Sequence, residues 1–162
     1  EAHIPNTTSC LVLDVRLPDV SGIKLQEKLS RAGVDVPIVF ISAYADVAMA
    51  VSAMKAGAVD FLTKPFRCQD LLDAVFTALE RDSAHRKMQQ WQLILRDHYE
   101  SLSARERQVI TMVAAGKLNK HIAADLRLSE VTVKVHRASA MRKMRATSLA
   151  HLVKMLEHFD PA

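Results

Sequence analysis

Three polar side chains stand where short apolar runs stop: Asp14 in LVLDVRLPDVSG, Ser42 in PIVFISAYAD and Lys64 in GAVDFLTKPF. A carboxylate can attack phosphorus, a hydroxyl can hold the transferred oxygens, and an ammonium can balance their charge. With a hard cation beside them, the three suffice to accept a phosphoryl group. Each also has an ordinary structural explanation, since a strand-end carboxylate caps a loop, a serine caps a helix and a turn lysine is solvated. Their common order and placement, rather than any one of them, points to chemistry.

The elements that must position them are legible in the pattern. Leu11 to Val15, Ile38 to Ile41 and Val59 to Leu62 are short apolar runs without the alternation of a half-exposed strand, and they read as buried parallel strands. Between them lie helical spacings, Ile23, Leu25 and Leu29 before Gly33, then Val47, Ala50, Val51 and Met54 before Gly57. Strands alternating with helices make an α/β layer, whose ligands bind beyond the carboxyl ends of the strands. That edge holds all three polar residues.

From Leu71 the spacing of Leu72, Val75, Ala78 and Leu79 predicts a helix that continues through the Gly- and Pro-free stretch Arg81 to Glu100, read as a helical linker. Trp91, Leu93, Ile94 and Leu95 supply apolar surface for packing on a domain. Beyond it only helices appear. Ser103 and Glu106 form an S-x-x-E capping box ahead of Val109, Ile110 and Val113, with Gly116 placed as the stop. A short helix spans about Asn119 to Leu126, and a third, capped by Ser129, runs from Glu130 to about Arg145. A fourth follows Ser148, with Leu149, Leu152, Val153 and Leu156 on one face.

Charge divides the chain. Residues 1 to 80 carry 7 Lys plus Arg against 10 Asp plus Glu, whereas residues 81 to 162 carry 15 against 8. A basic half gains by releasing counterions from a polyanion, although a solvated basic surface has the same composition. Cys10 and Cys68 are too few and too far apart for a disulfide framework or a zinc site, which suits a reducing cytoplasm. No apolar run is long enough to span a membrane, and no signal peptide opens the sequence.

The ordered series through Asp14, Ser42 and Lys64 resembles the receiver domain of two-component response regulators across residues 10 to 80. The resemblance implies a flavodoxin-like fold with Asp14 as phosphoacceptor, Ser42 as switch hydroxyl, Phe61 as rotating aromatic and Lys64 as phosphate partner before a cis Pro65. It further implies Mg²⁺ held by Asp14, the backbone carbonyl of Arg16 and an acidic pair, and a sensor histidine kinase as phosphodonor. A dehalogenase-like phosphatase would need an Asp where Arg16 stands, which argues against a hydrolase. Receivers place the phosphoacceptor at the end of their third strand, yet 13 residues precede Asp14, and one βαβ unit alone needs about 30. The first two βα units and the acidic pair are therefore expected to be missing, as from a truncated regulator whose Leu11 to Val15 edge is left unpaired.

The three-residue spacing between the Asn119 and Glu130 helices is that of a helix-turn-helix. With Ile122, Ala123, Leu126, Leu128, Val133 and Met141 buried, Thr132, Lys134, Val135 and Ala138 lie near the exposed side. Lys134 could then meet a guanine edge, Val135 a thymine methyl and Thr132 a phosphate. Asn119 through Ala123, the TVKVH core at Thr132 to His136, and Ser148 with Leu149 resemble the LuxR-type four-helix DNA-binding domain. By that resemblance the DNA-binding residues are Asn119, Thr132, Lys134, Val135, His136, Ala138 and Arg142, and the fourth helix helps to form a dimer on DNA.

Receiver (residues 1 to 80), helical linker (81 to 98) and LuxR-type domain (99 to 162) in this order resemble the FixJ-like response regulators. The implied function is transcription regulation on double-stranded promoter half-sites, as a homodimer, with RNA polymerase as a candidate partner and no membrane. Without the acidic pair, the alternative is a DNA-binding regulator that ignores phosphorylation. A phosphoryl-handling enzyme is the third class and the least supported, because no general base accompanies Asp14.

Overall fold

The computed structural model describes residues 7–18, 20–44, 46–157 and 159, in two compact units of residues 1–87 and 88–162. In the first, β1 (Leu11–Asp14), β2 (Ile38–Ser42) and β3 (Asp60–Thr63) pair in parallel in the order β1-β2-β3. Asp14 lies opposite Ile41, and Ser42 opposite Thr63. This register brings the strands to an end nearly level with one another, so Asp14, Ser42 and Lys64 share one edge of the sheet.

Two crossover helices, α1 (Gly22–Arg31) and α2 (Val47–Lys55), follow β1 and β2. Leu13, Ile38 and Phe40 bury one face of the sheet with Ala53 of α2 and with Ile23, Leu25 and Leu29 of α1. Val39 and Val59 bury the other with Ala74 and Ala78 of α3 (Cys68–Glu100). Burial on both faces is why the β2 sequence does not alternate, whereas β1 leaves Val12 40% exposed. Phe40, fully buried at the centre, alone contributes roughly 1.5–3 kcal/mol. Asp46 caps α2 by accepting from the Met49 N–H at 2.6 Å. Gly33 and Gly57 lie just past the ends of α1 and α2 at φ 70° and 93°, a conformation that costs a side-chain-bearing residue dearly.

The 33-residue α3 starts three residues before the expected Leu71, and the stretch expected as a linker is part of this one unbroken helix. In the first unit its Asp82, 2% exposed, accepts from the Ser9 N–H at 2.9 Å and from Arg86 Nε at 2.6 Å. These contacts tie the approach to β1 onto the helix and compensate a charge that would be costly to bury alone.

In the second unit Leu95 of α3 is buried, with Trp91 and Tyr99 one turn to either side packed on the same core. Four further helices enclose it: α4 (Ala104–Ala114), α5 (Asn119–Leu126), α6 (Glu130–Lys143) and α7 (Leu149–Glu157). Both arms of the expected capping box form at Ser103 and Glu106. Val109, Ile110, Val113, Ile122, Ala123 and Val133 are buried as their spacing required, and Leu126, Leu128 and Met141 pack against them. Two expectations need correction. Helix α6 ends at Lys143 rather than Arg145, whose φ of 53° turns the chain. On α7, Met155 joins Leu152 in the core, while Leu149 is 40% exposed.

Candidate functional site

At the carboxyl edge of the sheet, Lys64 Nζ donates to Asp14 Oδ2 at 2.8 Å, and the Arg16 backbone N–H donates to Oδ1 at 2.9 Å. Both carboxylate oxygens are thus engaged. The Lys64 hydrogen bond first, and the Arg16 N–H next, hold the Asp14 carboxyl below its ordinary range, so the side chain is an anion at neutral pH. Lys64 is held at this place by its N–H, which donates to the Ser42 carbonyl at 2.8 Å, and its peptide bond to Pro65 is cis, as the resemblance implied.

Ser42 is fully buried at the end of β2, and its hydroxyl is turned onto its own loop. Ser42 Oγ donates to the Tyr44 carbonyl at 3.0 Å and accepts from the Tyr44 N–H at 3.2 Å. Phe61, the second residue of β3, is half-buried, with its ring centroid 6.2 Å from that of Phe40. One contact carries no signal in the spacing of the sequence: the Arg16 guanidinium lies 4.5 Å from the centroid of the Tyr44 ring, a cation–π pair beside Asp14.

In the second unit α5, the short turn and α6 have the dimensions of a helix-turn-helix. Arg127 makes the turn at φ 54°, and the Leu128 N–H closes onto the Ala123 carbonyl. Ser129 caps α6 by accepting from the Thr132 N–H at 3.0 Å, and the two hydroxyls share a hydrogen bond of 2.8 Å. Thr132 is therefore engaged at the helix start. Lys134, Val135, Ala138 and Arg142 are exposed, with Val135 at 62%, and His136 is half-buried. Asn119 opens α5, and its side-chain oxygen accepts from Arg137 Nη1 at 3.3 Å.

The basic surface is smaller than its composition implies. Lys143 is paired with Glu106 at 2.7 Å and Lys117 with Asp125 at 2.8 Å. Burial on α6 leaves Lys134 near the middle of the exposed side, one turn before Ala138. On DNA chosen by selection, Lys134→Ala is expected to cost about 1–3 kcal/mol and to relax the preference at one base pair. Repeating the selection with the variant measures both, and an unchanged preference would remove Lys134 from base reading.

The family described as "Response regulator receiver domain" matches residues 2–76, and "Bacterial regulatory proteins, luxR family" matches residues 100–156. The chain is 52% identical over 157 residues to nodulation protein W of Bradyrhizobium diazoefficiens, covering 97% of this chain and 69% of that protein. It is 46% identical over 145 residues to the transcriptional regulatory protein FixJ of Rhizobium meliloti, covering 90% of this chain and 71% of that one. Among solved structures it is similar to the response regulator StyR, with a TM-score of 0.83 and 46% identity over 97% of this chain and 79% of that one.

Proposed function

We propose, from the premise that this chain belongs to the two-component response regulators joining a receiver domain to a LuxR-type DNA-binding domain, that Asp14 is its phosphoacceptor and α6 its base-reading helix. The family is one of transcription regulators rather than enzymes. The observation that carries the proposal is the Lys64 ammonium 2.8 Å from an ionised Asp14 at the carboxyl edge of a parallel sheet.

In this reading β1, β2 and β3 are the third, fourth and fifth strands of the flavodoxin-like order 2-1-3-4-5, in which those three are successive neighbours. Residues 1–80 act as receiver, 81–98 as linker, and 99–162, with α4 to α7, as DNA-binding domain. The chain works in the cytoplasm, takes its phosphoryl group from a sensor histidine kinase and binds promoter half-sites as a homodimer, with RNA polymerase as a further partner.

An Asp14 oxygen attacks the donor's phosphorus, the bond from phosphorus to the donor imidazole breaks, and Lys64 follows the charge onto the phosphoryl oxygens. Ser42 then exchanges its Tyr44 bonds for one to the phosphoryl group, and Phe61 turns into the space this leaves. Receivers generally bind Mg²⁺. Here Asp14 is already paired with Lys64, and among the described residues no three His, Cys, Asp or Glu side chains converge. One engaged carboxylate and the Arg16 carbonyl are a poor match for an octahedral dication. A second reading, a regulator that binds DNA whether or not it is phosphorylated, needs no metal site.

Fluorescence anisotropy on selected DNA, with and without Mg²⁺ and acetyl phosphate, separates the two. Binding that tightens with phosphodonor and no longer does so in Asp14→Asn supports the first. Binding blind to the phosphodonor supports the second, and no binding overturns both.

A further inference from the structure

We infer that Arg137 is a DNA-phosphate contact of the second unit and that Asn119 is the positioning residue that aims it, rather than itself a DNA contact. The inference rests on the DNA-binding reading above and assigns chemistry to a residue that sequence reasoning passed over.

Arg137 lies on α6 one turn after Lys134, which sets it at the α5 side of the exposed face. It is half-buried, and its hydrogen bond reaches across 18 residues to the first residue of α5. The partner is a neutral amide. A half-buried guanidinium keeps its full charge, and an amide oxygen satisfies one of its five N–H donors without compensating that charge. Two lysines of this unit, Lys143 and Lys117, each meet a carboxylate within 3 Å, whereas Arg105 and Arg107, like Arg137, donate to neutral oxygens. Among the described residues Arg137 has no carboxylate within ion-pair distance. The helix pair therefore holds an oriented cation without its counter-charge.

What completes such a group is a planar or tetrahedral oxyanion taken by the free edge of the guanidinium, and on DNA that is a phosphate. A base edge is the less favoured target, because Arg137 lies to one side of the row made by Lys134 and Ala138, where a groove wall would stand. Asn119 fits the positioning role by the same geometry. Its side-chain oxygen is spent on Arg137, so it fixes one end of the guanidinium. This ties the start of α5 to the register of the protein on the duplex.

Anisotropy of the full chain on a mixed-sequence duplex, with salt varied, tests this. Arg137→Ala is expected to weaken binding roughly three- to tenfold at moderate salt and to reduce the slope of log K against log salt by about 0.9, the share of one phosphate. Asn119→Ala should weaken binding less, and in the Arg137→Ala background it should add nothing. Asn119→Asp should supply the missing counter-charge, weakening binding more than Asn119→Ala while thermal unfolding shows the fold intact. A merely structural asparagine would not produce that split. Unchanged affinity and slope in Arg137→Ala would overturn the assignment, as would losses at 119 and 137 that multiply. A wild-type chain that binds no duplex would overturn the DNA-binding reading itself, an outcome distinct from either.

Discussion

Glu106→Gln is expected to lower the stability of the second unit by about 2 kcal/mol at neutral pH, and that deficit should disappear in acid. Glu106 sits in the first turn of α4 and is 5% exposed. Its Oε2 accepts from the Ser103 N–H and from Lys143 Nζ, each at 2.7 Å, and the Ser139 hydroxyl supplies a further bond. The Lys143 bond first, then Ser139, outweigh the cost of burial and hold the carboxyl down at about 2, against an ordinary 4.5. Because the folded value is the lower one, the unfolded chain binds the proton first as pH falls. The stabilisation is complete above about 4.5 and is lost between 4.5 and 2. Glutamine cannot ionise and shows no such loss. Urea unfolding of both proteins at stepped pH should therefore give midpoints that differ at neutral pH and converge toward pH 2. A gap that persists in acid would mean that shape, not charge, is what Glu106 contributes.

That cluster also marks the limit of what the sequence reveals. The capping box was legible because Ser103 and Glu106 are neighbours in the chain and the pattern is local. Lys143, 37 residues on, carries no such local signal, and only the packing of α4 against α6 turns it inward onto Glu106. The strands were legible for the opposite reason. All three strands follow short apolar runs, forced in β2 by burial on both faces, so β1, β2 and β3 fall within a residue of their expected bounds. Asp14 and Lys64 could be placed on one edge, because a parallel register aligns strand ends, but the hydrogen bond between them depends on side-chain reach. Asn119 was legible as a residue of interest and Arg137 was not. The link between them belongs to the angle between α5 and α6, which no spacing encodes.

Gly22→Ala should damage the fold and the phosphoacceptor edge together. Gly22 is buried at the start of α1, and its N–H donates to the Val15 carbonyl at 2.8 Å. A Cβ built there would stand 2.6 Å from the Asp14 carbonyl oxygen, 3.1 Å from Phe40 Cε1 and 3.2 Å from Val15 Cα. The nearest atom is backbone in a strand registered against β2, and Phe40 is fully buried, so neither yields as a flexible side chain would. Alanine favours a helix over glycine by at most about 1 kcal/mol, and less at a first helical position. Overpacking costs about 1–3 kcal/mol, so the sign is destabilising. The cheapest relief is a shift of the end of β1, which carries Asp14 away from Lys64 and from the Arg16 N–H. With both bonds loosened, the Asp14 carboxyl should rise toward its ordinary range. Urea unfolding measures the first effect, and a carboxyl-carbon NMR titration of Asp14 the second. A stable variant with an unmoved Asp14 titration would show that α1 can retreat from β1 without disturbing the sheet edge. The coupled result would mean that this glycine serves the site through its missing side chain, by letting α1 close against the strand that presents the carboxylate.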